Sequence, residues 1–167
     1  VKKILMAKYK AGLSDLNDVS LINIENDMNT EIDDELFESL TKKSITLIKN
    51  ENNLLPLKNV SQKIAYVKLG DSGSEEFSKM LNHYTKVDII NTDGFTNSEV
   101  IARTNSYEVL IVGFHKSDKS PFDGYKFSNK EISLIEELAK QKKIILDVFT
   151  KPYALLDINT ENINSIL

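Results

Sequence analysis

Four short apolar runs, Ile64 to Leu69, Val87 to Ile90, Val109 to Val112 and Ile144 to Phe149, constrain this chain more than any other feature. Their length and their content of valine and isoleucine are those of strands buried on both faces. Helical spacing fills the intervals near residues 75–84, 97–105 and 129–142. The last of these is introduced by Ser128 and Glu131 as a capping box and carries Ile132, Ile135 and Leu138 on one face. Strand, helix, strand at this interval builds right-handed βαβ units. The expected fold is therefore α/β, a three-layer αβα sandwich around a mainly parallel sheet of about five strands with helices on both faces.

The first third reads differently. Val1, Ile4, Leu5, Lys8 and Tyr9, closed by Gly12, predict a short helix with glycine at its C-terminal cap. Residues 13–30 are rich in Asn, Asp and Ser, with isolated apolar positions at Leu16, Val19, Leu21, Ile22 and Ile24, and read as an ordered interdomain linker. Thr30 and Asp33 form a variant capping box ahead of Ile32, Leu36, Phe37 and Leu40, which predicts a helix over 31–44 with one buried face. Ile45, Leu47 and Ile48 then extend, a polar turn covers 49–53, and Leu54, Leu55, Pro56 and Leu57 supply an apolar anchor. Ile158, Ile163, Ile166 and Leu167 are still building an apolar pattern at the C-terminus, and the first residue is Val1. The expectation is an internal piece of a longer polypeptide, its sandwich truncated at the C-terminal edge. A small protein starting at a processed N-terminus is the alternative.

Composition narrows the function. A chain of 167 residues buries roughly 70% of its unfolded surface without disulfide or metal staples. Its 21 basic and 25 acidic side chains leave a net charge of −4, which argues against nucleic acid or an anionic membrane as partner. No apolar run approaches the roughly 20 residues of a membrane-spanning helix. The absence of cysteine removes thiol catalysis and zinc-thiolate sites.

In an open parallel sheet, ligands bind beyond the carboxyl ends of the strands. The loop after Leu69 runs Gly70, Asp71, Ser72, Gly73, Ser74, Glu75, Glu76. A glycine-bearing turn opening a helix suits phosphate, and Asp93 lies about 20 residues on, where a dinucleotide fold keeps its ribose acid. The three-glycine fingerprint is missing and the acids repel a pyrophosphate, so no cofactor is expected and a nucleotide-binding domain ranks low. The acids complement the helix dipole instead. The loop after Phe114 is long and polar. It carries His115, a possible acid or base, with Asp118 or Asp123 to orient it, but no nucleophile stands at a recognisable spacing. His83 caps a helix end, and Asp33, Asp34 and Glu35 fill a first turn. Asp147 falls within a strand run, and one carboxylate alone defines no reaction. Leu69 and Phe114 occupy the strand ends where a phosphoacceptor receiver domain needs acids.

The segment from Lys42 to Leu57, with Leu47, Ile48, Lys49, Asn50, Glu51 and then Leu54, Leu55, Pro56, Leu57, resembles the signature that opens the second domain of glycoside hydrolase family 3. Lys63, Ile64, Ala65, Tyr66 and Val67 resemble that domain's first sheet strand. Ile4 to Leu13 resembles the helix that ends the family's (β/α)8 barrel, and Phe149, Thr150, Lys151, Pro152, Tyr153 resembles a proline-tyrosine turn late in the second domain. The likeness is closest to bacterial β-N-acetylglucosaminidases that carry a second domain after the barrel.

That resemblance implies a division into residues 1–12 as the last barrel helix, 13–30 as linker and 31–167 as an incomplete sandwich domain. It implies a retaining hydrolase acting on terminal N-acetylglucosamine, its nucleophilic aspartate and histidine acid/base both on barrel loops outside this chain. Retention commonly needs two groups about 5 to 5.5 Å apart across the sugar. The chain itself then has no catalytic residue, no metal and no cofactor. It supports the barrel and lines the rim of the sugar site, with Asp71, His115, Asp118 and Asp123 as the substrate-proximal candidates. In other branches a second-domain glutamate is the acid/base, and no residue here aligns with it. The implied partners are the upstream barrel and a carbohydrate, and the implied compartment is periplasmic or extracellular sooner than cytoplasmic. Two further expectations stand beside this: a stand-alone module binding sugar or peptidoglycan fragments, and self-association through an open sheet edge.

Overall fold

A computed structural model describes residues 1–15, 20–117 and 124–167. Leu16 and Val19 of the expected linker lie outside the described residues, as do Asp118 and Asp123. The chain falls into two compact units, Val1–Ser44 and Ile45–Leu167.

The first unit holds three helices, α1 (Lys2–Lys10), α2 (Ile24–Met28) and α3 (Glu31–Ser44). Gly12 follows α1 with φ +74°, a conformation that costs glycine little. The reciprocal cap before α3 forms: Asp33 N–H donates to Thr30 Oγ1 at 3.3 Å and Asp33 Oδ2 accepts from Thr30 N–H at 3.0 Å. The stretch read as an ordered linker contains α2. One expectation is corrected here: the α3 face read as buried is open, with Ile32, Leu36, Phe37 and Leu40 all exposed.

The second unit is a six-stranded sheet with helices on both faces, a three-layer sandwich. Its elements run β1 (Lys49–Asn50), β2 (Ile64–Gly70), α4 (Glu75–Tyr84), β3 (Val87–Ile90), α5 (Asn97–Arg103), β4 (Val109–His115), α6 (Asn129–Ala139), β5 (Lys143–Phe149) and β6 (Ser165–Ile166). The sheet order is β1-β6-β5-β4-β2-β3, all parallel except the β1–β6 pair. The two strands beyond the four apolar runs are two residues long, too short to show a period. β1 is fixed by its side chains. Lys49 Nζ donates to the carbonyls of Thr160 and Glu161, and Asn50 holds the following turn by exchanging two hydrogen bonds with the Leu55 backbone, at 2.8 and 3.0 Å.

Alternation along the strands separates two cores. On the first face Ala65, Val67, Leu110, Val112, Phe114, Ile144 and Leu146 pack against Val100 of α5 and against Leu134, Ile135 and Leu138 of α6. On the second, Ile64, Tyr66, Val109, Ile111 and Ile145 meet Phe77 and Leu81 of α4 and the anchor Leu54, Leu55 and Leu57. Each large aliphatic side chain buried this way contributes roughly 1.5–3 kcal/mol before conformational entropy is set against it.

Candidate functional site at the carboxyl edge of the sheet

Three rows of register-paired residues cross the second face near the carboxyl ends of β2, β4 and β5. They are Tyr66, Ile111 and Ile145; then Lys68, Gly113 and Asp147; then Gly70, His115 and Phe149. Gly113 makes the arrangement possible. A Cβ there would lie 2.5 Å from Tyr66 Oη and 2.9 Å from His115 Nε2, so the bare backbone is the floor on which these two groups meet. They do meet, at 2.6 Å. The imidazole also stacks on Phe149, with ring centres 4.2 Å apart and planes at 11°, and Phe77 of α4 contacts both rings.

The surroundings hold this pair neutral. Burial, then the positive charge of Lys68, keep the His115 imidazole below its ordinary pKa, against a weaker pull from Glu75. Burial pushes the Tyr66 phenol up to about 12, and the carboxylates of Asp147 and Glu75 add to the shift. Asp147, half-buried on the next strand, is raised to about 7 by desolvation alone.

The loops above this face are clamped together. Gly70 ends β2 at φ +85°, and a Cβ there would run into the His115 carbonyl oxygen. Only glycine permits that approach. The same carbonyl accepts from Ser72 N–H at 3.0 Å. Asp71 Oδ1 accepts from Ser117 N–H at 2.9 Å, and Lys116 Nζ stands 3.7 Å from Asp71 Oδ2. The Ser117 amide, chiefly, holds the Asp71 carboxyl below its usual range. Behind them Glu131 has two duties. Oε2 closes the capping box on Ser128 at 2.7 Å, and Oε1 accepts from Gly70 N–H at 2.9 Å, tying the start of α6 to the end of β2.

Asp71 and His115, picked from the sequence, are thus brought to adjoining strand ends, while Asp118 and Asp123 lie outside the described residues. One reading changes. His115 is the last residue of β4 and only 6% exposed, where the sequence placed it in a solvated loop. Tyr66 escaped the sequence reading because a tyrosine in an apolar run looks like core. Asp147 was visible as an acid inside a strand run. Its position beside Gly113 follows only from the β4–β5 register.

A cleft of about 190 Å³ opens on the other side of β2, lined by Gly70, Thr92, Asp93, Asn97, Ser128 and Glu131. Asn97 Oδ1 is buried there with no partner among the described residues. A larger hollow of about 740 Å³, between Tyr107, Glu108, Gln141, Lys143 and Glu161, lies at the amino ends of the strands. That edge of a parallel sheet is not where ligands bind, and the smaller cleft has the better claim. No group of three or more His, Asp or Glu side chains gathers as a metal site among the described residues, and no described helix is long and apolar enough to cross a membrane.

No protein-family model matches the chain. A β-xylosidase of Formosa agariphila is 26% identical over 205 aligned positions, which take in 99% of this chain and 28% of that protein. Among solved structures, a β-glucosidase of Erythrobacter marinus superposes with a TM-score of 0.65 at 18% identity, covering 98% of this chain and 29% of that one. A β-glucosidase of Listeria innocua, solved with isofagomine, gives 0.63 at 14% identity over 95% of this chain and 25% of its own. The chain spans less than a third of the length of each of these proteins, and its fold is that of a part of them.

Proposed function

We propose that this chain is a noncatalytic α/β domain of a retaining β-glycosidase, of the type that releases terminal N-acetylglucosamine. It would support a (β/α)8 barrel and present its strand-end loops toward the sugar. The likeness to a β-xylosidase and to β-glucosidases supports the glycosidase setting. The N-acetylglucosamine preference comes from the sequence resemblance alone, as do the family 3 assignment and the division at residues 12 and 30.

The observation that carries the noncatalytic reading is that Asp71 and His115, the two described candidates at the carboxyl edge, are each engaged by other groups of the chain. Asp71 accepts from the Ser117 amide and is held ionised, which suits a clamp and not a general acid. His115 faces Tyr66 and is stacked under Phe149. In this reading Asp71 and His115 shape the rim of the sugar site, and Asp118 and Asp123 belong to the same loop cluster by sequence.

The test is a panel of chromogenic β-linked N-acetylglucosaminide, xyloside and glucoside. The expected result is no turnover by the purified chain. Turnover that disappears in Asp147→Asn or His115→Gln would overturn it. The alternative, a sugar-binding module acting without a barrel, is favoured by one observation, the unpartnered Asn97 Oδ1 in the 190 Å³ cleft. Calorimetric titration with N-acetylglucosamine and muropeptides separates the two, since a support domain releases no saturable heat.

A further inference from the structure

Asp93 and Gly94 form the exposed tip of the loop after β3. Phe95 N–H donates to the Thr92 carbonyl at 3.3 Å, so these two residues are the centre of a four-residue turn, in which Gly94 adopts φ +77°. Asp93 N–H donates to Asn91 Oδ1 at 2.9 Å. Its carboxyl has no hydrogen bond or ion pair among the described residues, and neither has the Gly94 amide. A Cβ at Gly94 would meet nothing within 4 Å. A free carboxyl thus stands one residue ahead of a free, uncrowded main-chain nitrogen.

The other described aspartates are held or shielded. Asp71 accepts from the Ser117 amide, and Asp88 accepts from the Tyr107 hydroxyl at 2.9 Å. Asp88 and Asp147 lie in strands and precede the β-branched Ile89 and Val148. Asp27, Asp33 and Asp34 sit inside α2 and α3, where the main chain is fixed. Asp15 and Asp157 precede the bulky Leu16 and Ile158. Around Asp93 only the flanks are fastened. Thr92 Oγ1 donates to the Lys68 carbonyl at 2.9 Å, and Thr96 caps α5.

We infer that Asp93–Gly94 is a site of spontaneous isoaspartate formation in the folded chain. The Gly94 nitrogen attacks Asp93 Cγ and the N–Cγ bond forms. One carboxyl oxygen leaves as water, taking the Gly94 amide proton and the proton of the carboxyl. Water then opens the succinimide ring at either of its two carbonyls. Cleavage of the N–Cγ bond restores aspartate. Cleavage between the nitrogen and the Asp93 main-chain carbonyl leaves the peptide running through Cγ, with a free α-carboxylate. Water is the only co-reactant. Glycine serves the step twice, because no side chain obstructs the attack and its φ is free. The product lengthens the main chain by a methylene at the rim of the 190 Å³ cleft that Asp93 helps to line.

Incubation of the whole chain for several weeks at mildly acidic pH and physiological temperature tests this, beside free peptides spanning residues 88–98 and 66–76. Enzymatic methylation of isoaspartyl carboxylates counts the product. Peptide mapping places it, since the modified Asp93 peptide keeps its mass, elutes separately and resists an aspartate-directed protease. The expected outcome is formation at Asp93 within about threefold of the free-peptide rate, and at Asp71 at least about tenfold below its own peptide. Gly94→Asn, which tolerates a left-handed φ but adds a side chain, should slow formation about tenfold. Asp93→Glu, which would have to close a larger ring, should remove the signal at this position. A native rate at Asp93 more than about tenfold below the peptide overturns the proposal, because the fold then shields the pair. So does isoaspartate confined to Asp123–Gly124, the other Asp–Gly pair of the sequence. An equal total signal in Asp93→Glu overturns it as well. Circular dichroism checks that the variants fold.

Discussion

The two faces of the same sheet follow different rules. On the first, every residue that β2, β4 and β5 turn toward α5 and α6 is apolar, and Val67, Val112 and Leu146 are completely buried. On the second, the same strands present Tyr66, Lys68, His115 and Asp147, and a glycine stands where the closed face has valine or phenylalanine on either side. One face is built for cohesion, and the other trades packing for a polar cluster held between aromatic rings.

The sharpest way to break this contrast is to truncate one side chain from each face. Leu146→Ala should cost about 2–5 kcal/mol, the range for deleting a fully enclosed aliphatic side chain. Phe149→Ala, three residues along the same strand but 44% exposed, should cost about 1 kcal/mol, well under the 3–5 of an enclosed aromatic. Urea unfolding of both variants measures the ratio. Equal losses would mean that the second face is as closed as the first.

Gly113→Ala probes the polar cluster itself. The added methyl would sit 2.5 Å from Tyr66 Oη, and Tyr66 is fully buried and cannot swing away. Overpacking of this kind costs about 1–3 kcal/mol. The expected signature is local, a loss of the Tyr66–His115 bond seen as displaced imidazole and phenol ring resonances in NMR. Unchanged imidazole shifts in NMR would show that Gly113 is no floor for the pair.

How much of this was legible beforehand divides along the same line. The four long strands, α4, α5 and α6, and the Ser128–Glu131 cap could be read because each carries a local period or a cap pattern spanning at most four residues. β1 and β6 could not, since two-residue strands are made by their neighbours. The site was legible only as loops. Asp71 and His115 were picked out as polar residues at strand ends, whereas their duties depend on the β2–β4 register, which sets Gly70 opposite His115. The second bond of Glu131, to Gly70, spans 61 positions of sequence. No periodicity argument reaches that far.

The expected effect at Asp147 is modest, and it carries a sign. Its ordinary pKa of 3.8 rises to about 7 in the fold, so the folded state keeps a proton that the unfolded chain has released. The neutral carboxyl is tolerated fully below pH 3.8, and stability is lost as pH climbs from there through about 7. His115 has the opposite slope. Its folded pKa is lowered, so its contribution is present above the ordinary imidazole value of 6.5 and lost as pH falls below it. Between pH 5 and 7 the two oppose each other and flatten the profile of the native chain. Asp147→Asn, a neutral replacement of the same shape, removes one of them. It should raise stability by about 1–2 kcal/mol at pH 8, less than the full linkage because the group keeps some contact with water. The gain should shrink by pH 5, leaving a profile that falls steadily toward acid. Chemical denaturation at pH 5, 6.5 and 8 measures it, and a variant less stable than the native chain at pH 8 would mean that Asp147 already has a cationic partner within this fold.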